Sequence, residues 1–163
     1  AFKPNKARQM IQQLSDYLRS TLKNKENNLV DLKDEIKSIE LYLEIEKVRF
    51  GKRLTTDLKM DEVCLEKKIP HQLLQPLIEN DIKYGLYQTL GEVNIKIEAG
   101  LIKDDLYIEV CNPFDNESQN QFKGEGFGLN SLKRRLYLLY NRMDSLNTEV
   151  DDQFFKAKII IPQ

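Results

Sequence analysis

The spacing of apolar residues in this chain changes at Gly51, and that change limits the folds open to it. Upstream, Ala7, Ile11, Leu14 and Leu18 recur at steps of four and three, as do Leu29, Leu32, Ile36, Ile39 and Leu43. Such spacing draws one apolar stripe down each of two helices. Downstream, Leu54, Thr56, Leu58 and Met60 alternate with polar neighbours, as do Val93, Ile95 and Ile97, and then Leu106, Ile108 and Val110. Alternation with period two is the mark of half-buried strands.

The first stripe, widened by Met10, Tyr17 and Leu22, predicts a helix from residue 6 to about 25. A polar turn over 23–28 leads to a second helix, which starts near Asp31 as N-cap and stops at Gly51. The two form an antiparallel hairpin, and neither is expected to bury its stripe in so small a unit. Pairing with a second copy into a four-helix bundle completes it, so residues 1–51 are read as a dimerisation hairpin. Residues 52–163 are read as a separate unit. There Ile69-Pro70 opens a helix running through Leu73, Leu77 and Ile82 to Gly85, and a further helix covers Leu129 to Asn141. Residues 113–123 read as a loop, and Thr148 to Val150 with Phe155 to Ile161 as a closing hairpin. The order gives an α+β fold of two layers, with helices on one face of a mixed sheet.

Charge and composition exclude several classes. With 25 basic and 26 acidic residues there is no excess to drive sequence-independent nucleic-acid binding. Cys64 and Cys111 stand apart and His71 is the only histidine, so a disulfide framework or zinc site is not expected, and both thiols read as reduced packing groups. No apolar run reaches the roughly 20 residues of a membrane helix. The chain reads as cytoplasmic in character, without membrane contact of its own, and as part of something longer.

Two segments carry chemistry. Gly124, Gly126 and Gly128, followed by Leu129, lie between a polar loop and a helix start. They suit either a phosphate cradle, because bare backbone N–H groups approach an anion closely, or a flexible hinge. In the helix from Leu73 to Gly85, the polar residues Glu79, Asn80, Lys83 and Tyr84 break an apolar pattern on one side. Carboxylate, amide oxygen and ammonium together supply a base, a hard metal ligand and a phosphate counter-charge; a plain solvated face is the alternative.

These two segments, in this order, resemble the N box and G2 box of the Bergerat-fold (GHKL) ATPases, and more narrowly the LytS-type sensor histidine kinases. Tyr42 to Gly51, Leu14 to Arg19, Leu74 to Asn80, and Gly128-Leu129-Asn130 with Arg135, Leu136 and Tyr140 extend the resemblance along essentially the whole chain. The resemblance implies a two-layer Bergerat sandwich that binds Mg-ATP. Asn80 would ligate Mg²⁺, Glu79 would polarise the attacking group, and Lys83 would contact phosphate. Gly124, Gly126, Gly128 and Leu129 would form the hinge and phosphate wall of a lid over the nucleotide. Tyr84 stands where the family usually has His, and Asn112 where related ATPases place an Asp that accepts from the adenine amine. The family's phosphoacceptor lies in an Asn-Pro-His-Phe motif, which this chain lacks, so it is not expected to phosphorylate itself. His71 reads as a partly exposed residue at a helix start. The implied activity is that of a histidine protein kinase in a two-component system, the cytoplasmic portion of an inner-membrane sensor. It would act as a homodimer with a cognate response regulator. The alternative is a degenerate, kinase-like dimeric module that binds nucleotide weakly or not at all.

Overall fold

The computed structural model describes residues 4–23, 29–86, 91–113, 127–150 and 153–163. Helix α1 covers Pro4–Lys23 and α2 covers Leu32–Phe50; between them the three-residue strand β1, Leu29–Asp31, pairs antiparallel with β3, Lys68–Pro70. Strand β2, Leu54–Met60, begins just beyond the turn at Gly51. Helix α3, Gln75–Asp81, continues into a π-helical turn at Ile82–Leu86. Strands β4, Val93–Ile102, and β5, Asp105–Pro113, precede α4, Phe127–Tyr140. Strands β6, Leu146–Val150, and β7, Phe154–Ile161, follow.

The main sheet runs β2-β4-β5-β7-β6, with β2 and β4 parallel and every other pair antiparallel. It is the mixed sheet expected. The parallel pair needs a crossover, and β3 and α3 lie within it. Lys103, at φ 57°, makes the tight turn that joins β4 to β5. Alternation places Val93, Ile95 and Ile97 of β4, Leu106, Ile108 and Val110 of β5, and Ala157, Ile159 and Ile161 of β7 in the core.

Three sequence expectations need correcting. The stripe of α2 does not await a second copy: Leu32, Ile36, Ile39 and Leu43 are buried within the chain's own core, together with the sheet residues and Leu74, Leu77 and Ile78. Each such side chain contributes roughly 1.5–3 kcal/mol of burial. By contrast Ile11, Leu14 and Leu18 of α1 are exposed. Second, Ile69-Pro70 opens no helix; it is strand, registered against Val30 and Leu29. Third, Asp31 stands at the N-cap of α2 as expected but makes no side-chain capping bond. The loop after β2 does that work, because the N–H groups of Leu32 and Lys33 donate to the Lys67 and Leu65 carbonyls, both at 2.9 Å. Asp31 is thereby left to pair with Lys68 Nζ at 2.6 Å.

Candidate functional site

The site is organised around α3, and its geometry begins in the turn that leads into it. Gln72 takes φ 56°, a left-handed conformation that sharply redirects the chain leaving β3. The turn is held by Glu35 of α2, whose buried carboxylate accepts from the Gln72 N–H and the Leu74 N–H, both at 3.0 Å. Burial pushes the Glu35 carboxyl above its usual range, against the pull of those two backbone donors and of the Arg135 charge. His71 is buried beside it, 4% exposed, with Nδ1 3.8 Å from Glu35 Oε2. This corrects the expectation of partial exposure: Pro70 and His71 close over the core instead of starting a helix.

Once started, α3 turns Leu74, Leu77 and Ile78 into the core and leaves Glu79 and Lys83 exposed and Asn80 half-buried. Gln75 Nε2, one turn earlier, donates to Glu79 Oε1 at 2.8 Å, which fixes the carboxylate's direction. Glu79 opens onto a cavity of about 570 Å³ between α1, α3 and α4, lined also by Tyr17, Gln75, Gly128, Ser131 and Arg135. The predicted Glu79 and Gly128 therefore share a cavity. Asn80, Lys83, Asn112 and Leu129 do not line it. Leu129 packs half-buried against the core at the start of α4. Tyr17 brings the hairpin to the same place; burial first, then the charges of Glu79 and Glu35, push its phenol up. Gly124, Gly126 and the side chain of Tyr84 lie outside the described residues.

A second polar group sits where α3 crosses β5. Asn112 is buried, its Nδ2 donating to the Pro113 carbonyl at 3.1 Å while its Oδ1 has no partner. Gly85 lies directly against it: a Cβ there would stand 3.7 Å from Asn112 Nδ2 and 3.1 Å from Val93. Asp81, one helical turn before Gly85, is 1% exposed with neither carboxyl oxygen bonded. Desolvation alone pushes its carboxyl well above the ordinary range. Between them lies the π-helical turn, a rare distortion frequently found at functional sites.

Comparison with known proteins agrees with this layout. A histidine kinase family model matches residues 1–54. The chain is 29% identical over 170 residues to sensor protein LytS of Oceanobacillus iheyensis, covering 96% of this chain and 29% of that protein. Sensor histidine kinase BtsS of Escherichia coli K12 is 34% identical over 132 residues, covering 80% and 23%. The chain belongs to the LytS-type sensor histidine kinases. It spans less than a third of the length of these curated relatives. The catalytic domain of histidine kinase ThkA shares the fold, with a TM-score of 0.57 at 18% identity, covering 85% of this chain and all of that one. The same kinase in complex with response regulator protein TrrA aligns with a TM-score of 0.54 at 15% identity, over 97% of this chain and 49% of that one.

For a histidine kinase chain, the unbonded oxygens of Asp81 and Asn112 fit a ligand that brings N–H donors. The donor set for a cation is sparse: among the described residues no three His, Cys, Asp or Glu side chains converge. Mg²⁺ needs no such cluster, since it takes one or two protein oxygens and completes its shell with phosphate and water. Asn80 and Glu79, adjacent on α3, are the groups that could supply them. Sequence reasoning missed Glu35, Gln75, Tyr17 and Asp81. Only Asp81 carried a readable signal, a carboxylate at a core position of an apolar stripe.

Proposed function

We propose that this chain is the ATP-binding catalytic portion of a two-component sensor kinase, delivering the γ-phosphoryl group to a histidine on another segment. The observation that carries the reading is Glu79 and Gly128 facing one cavity across α3 and α4. The bond from Gln75 to Glu79 supports a role for that carboxylate in polarising the attacking imidazole or its water. Asn80 is the proposed Mg²⁺ ligand and Lys83 a phosphate counter-charge; Gly124, Gly126, Gly128 and Leu129 form the proposed lid hinge, with Tyr84 beside the phosphates. Bound Mg²⁺ supplies charge neutralisation on the phosphates, and the protein contributes mainly positioning and electrostatics.

His71 does not serve as phosphoacceptor, since it is buried against Glu35, so the histidine comes from elsewhere. The response regulator that would receive the phosphoryl group is proposed from the sensor-kinase relatives and from the ThkA–TrrA complex. The exposed Ile11, Leu14 and Leu18 of α1 support homodimerisation through that helix alone. No helix among the described residues is long and apolar enough to cross a membrane, and the anchoring segment is proposed to belong to the rest of the sensor.

The test is thermal unfolding with and without Mg-ATP. Ligand at a hundred times its Kd stabilises the native state by about 2.7 kcal/mol, which in a chain of this size raises Tm by about 5–11 °C. No shift at millimolar Mg-ATP overturns the catalytic reading in favour of a degenerate module, for which Asn112 in place of a carboxylate already speaks. If binding is seen, radiolabel transfer to a separate histidine-bearing helical domain tests the chemistry.

A further inference from the structure

We propose that Asp81 is a base-specificity residue, reading the amino edge of the nucleotide's adenine together with Asn112. The inference rests on the nucleotide-binding reading above and adds to it a residue and a selectivity.

The apolar stripe of α3 and its continuation runs Leu74, Leu77, Ile78, Ile82, and Asp81 stands inside it at 1% exposure. Both of its carboxyl oxygens lack a hydrogen-bond partner. Burying a carboxyl without a partner is costly in either protonation form, whereas an apolar side chain there would join the surrounding core. A fold that keeps such a group at the expense of its own stability is keeping it for something that binds.

The neighbourhood says what binds. Asp81 and Asn112 occupy the same helix–sheet layer: Gly85, one turn on from Asp81, lies against the Asn112 amide, and both side chains are buried. One N–H of the Asn112 amide donates to the Pro113 carbonyl, and its Oδ1 is buried and unbonded. Three buried oxygens of this layer thus have no hydrogen bond reaching them from the described residues. Whatever the protonation of Asp81, at least one of its oxygens accepts.

The complementary ligand edge is one that donates. The exocyclic amine of adenine carries two N–H groups and can satisfy one oxygen from each residue. Hypoxanthine and guanine present a carbonyl oxygen at that position, whose lone pairs would oppose Asn112 Oδ1 and the accepting oxygen of Asp81. A site built around hydrogen bonds to a ligand amine discriminates strongly against the analogue lacking it.

The experiment measures ADP and IDP affinities by calorimetry, and Tm without nucleotide, for the wild type, Asp81→Ala and Asp81→Asn. The expected result is a higher Tm for Asp81→Ala with ADP bound about 10–100-fold more weakly and the preference for ADP over IDP narrowed by a similar factor. Asp81→Asn, which keeps an accepting oxygen, retains most of that preference. In wild-type protein the Asp81 carboxyl ¹³C resonance moves on adding ADP and stays in place with IDP, a readout independent of any variant folding. Wild-type protein that binds ADP, with an indifferent Asp81 resonance and an Asp81→Ala variant of unchanged affinity and selectivity, overturns this inference alone. Wild-type protein that binds neither nucleotide overturns the nucleotide reading and this one together.

Discussion

Removing the Glu35 carboxylate tests whether the lead-in to α3 is held from the hairpin. In Glu35→Ala the Leu74 N–H loses its acceptor in a buried position and the Gln72 N–H in a half-buried one, each previously bonded at 3.0 Å. An orphaned buried donor costs about 1–3 kcal/mol, and one that reaches water about 1 kcal/mol or less. Relief of the carboxyl's own desolvation, visible in its raised pKa, offsets part of this. The sum is a loss of about 2 kcal/mol, or a Tm lower by about 4–8 °C. Glu35→Gln keeps one accepting oxygen and should fall about midway. Urea titration gives the stability, and amide exchange gives its location: the Leu74 and Leu77 amides should exchange faster while those of β5 and β7 change only with global stability. An alanine variant within 0.5 kcal/mol of wild type, with unchanged exchange at Leu74, would refute the reasoning.

Three further outcomes follow from the packing and charge described. Ile39→Ala, at a site with no exposure, should lower stability by about 2–5 kcal/mol by chemical denaturation; a change below about 1 kcal/mol would mean that α2 does not share the sheet's core. Asp31 has its carboxyl held below the usual range, first by its bond to Lys68. Its contribution is therefore present above the unfolded-state value near 3.8 and lost as pH falls through the lower folded value. Asp31→Asn should weaken the fold slightly at neutral pH and flatten the loss of Tm below about pH 4; an unchanged acid profile counts against the pair. Leu14→Glu, on the exposed side of α1, should shift a dimer to monomer in analytical ultracentrifugation while leaving Tm measured at monomer concentrations nearly unchanged. A wild-type chain that sediments as a monomer at high concentration removes the proposed dimer.

The sequence was most readable where the signal was periodic. The alternation in β2, β4 and β5 follows from side chains pointing to opposite faces of a strand, and the stripes of α1 and α2 from helical geometry. Periodicity says that a face is apolar and is silent about what covers it. That is why α2 could be assigned to a partner copy when the chain's own sheet and α3 take its stripe. Short elements defeated the pattern altogether: β1 and β3 have three residues each, too few to show a period, and an Ile-Pro pair fits a helix start as well as a strand end. In the site, Glu79 and Gly128 were legible because their chemistry is local to their own segments. Glu35 and Tyr17 were not, since a carboxylate and a phenol on a helix gain their role only from what the fold brings against them.

Because the second helix of the hairpin is rooted in the interior, it cannot act as a swinging arm for the sheet-bearing half. Extracting Leu32, Ile36, Ile39 and Leu43 would approach the scale of unfolding the chain. A displacement passed along these helices must therefore move α2, α3 and the sheet as one block, and any give has to lie on the α1 side. There, contact with the block includes the Tyr17 ring, 5.8 Å from that of Tyr42 and bordering the cavity that holds Glu79. A small roll of α1 would change the shape of that cavity without disturbing the core.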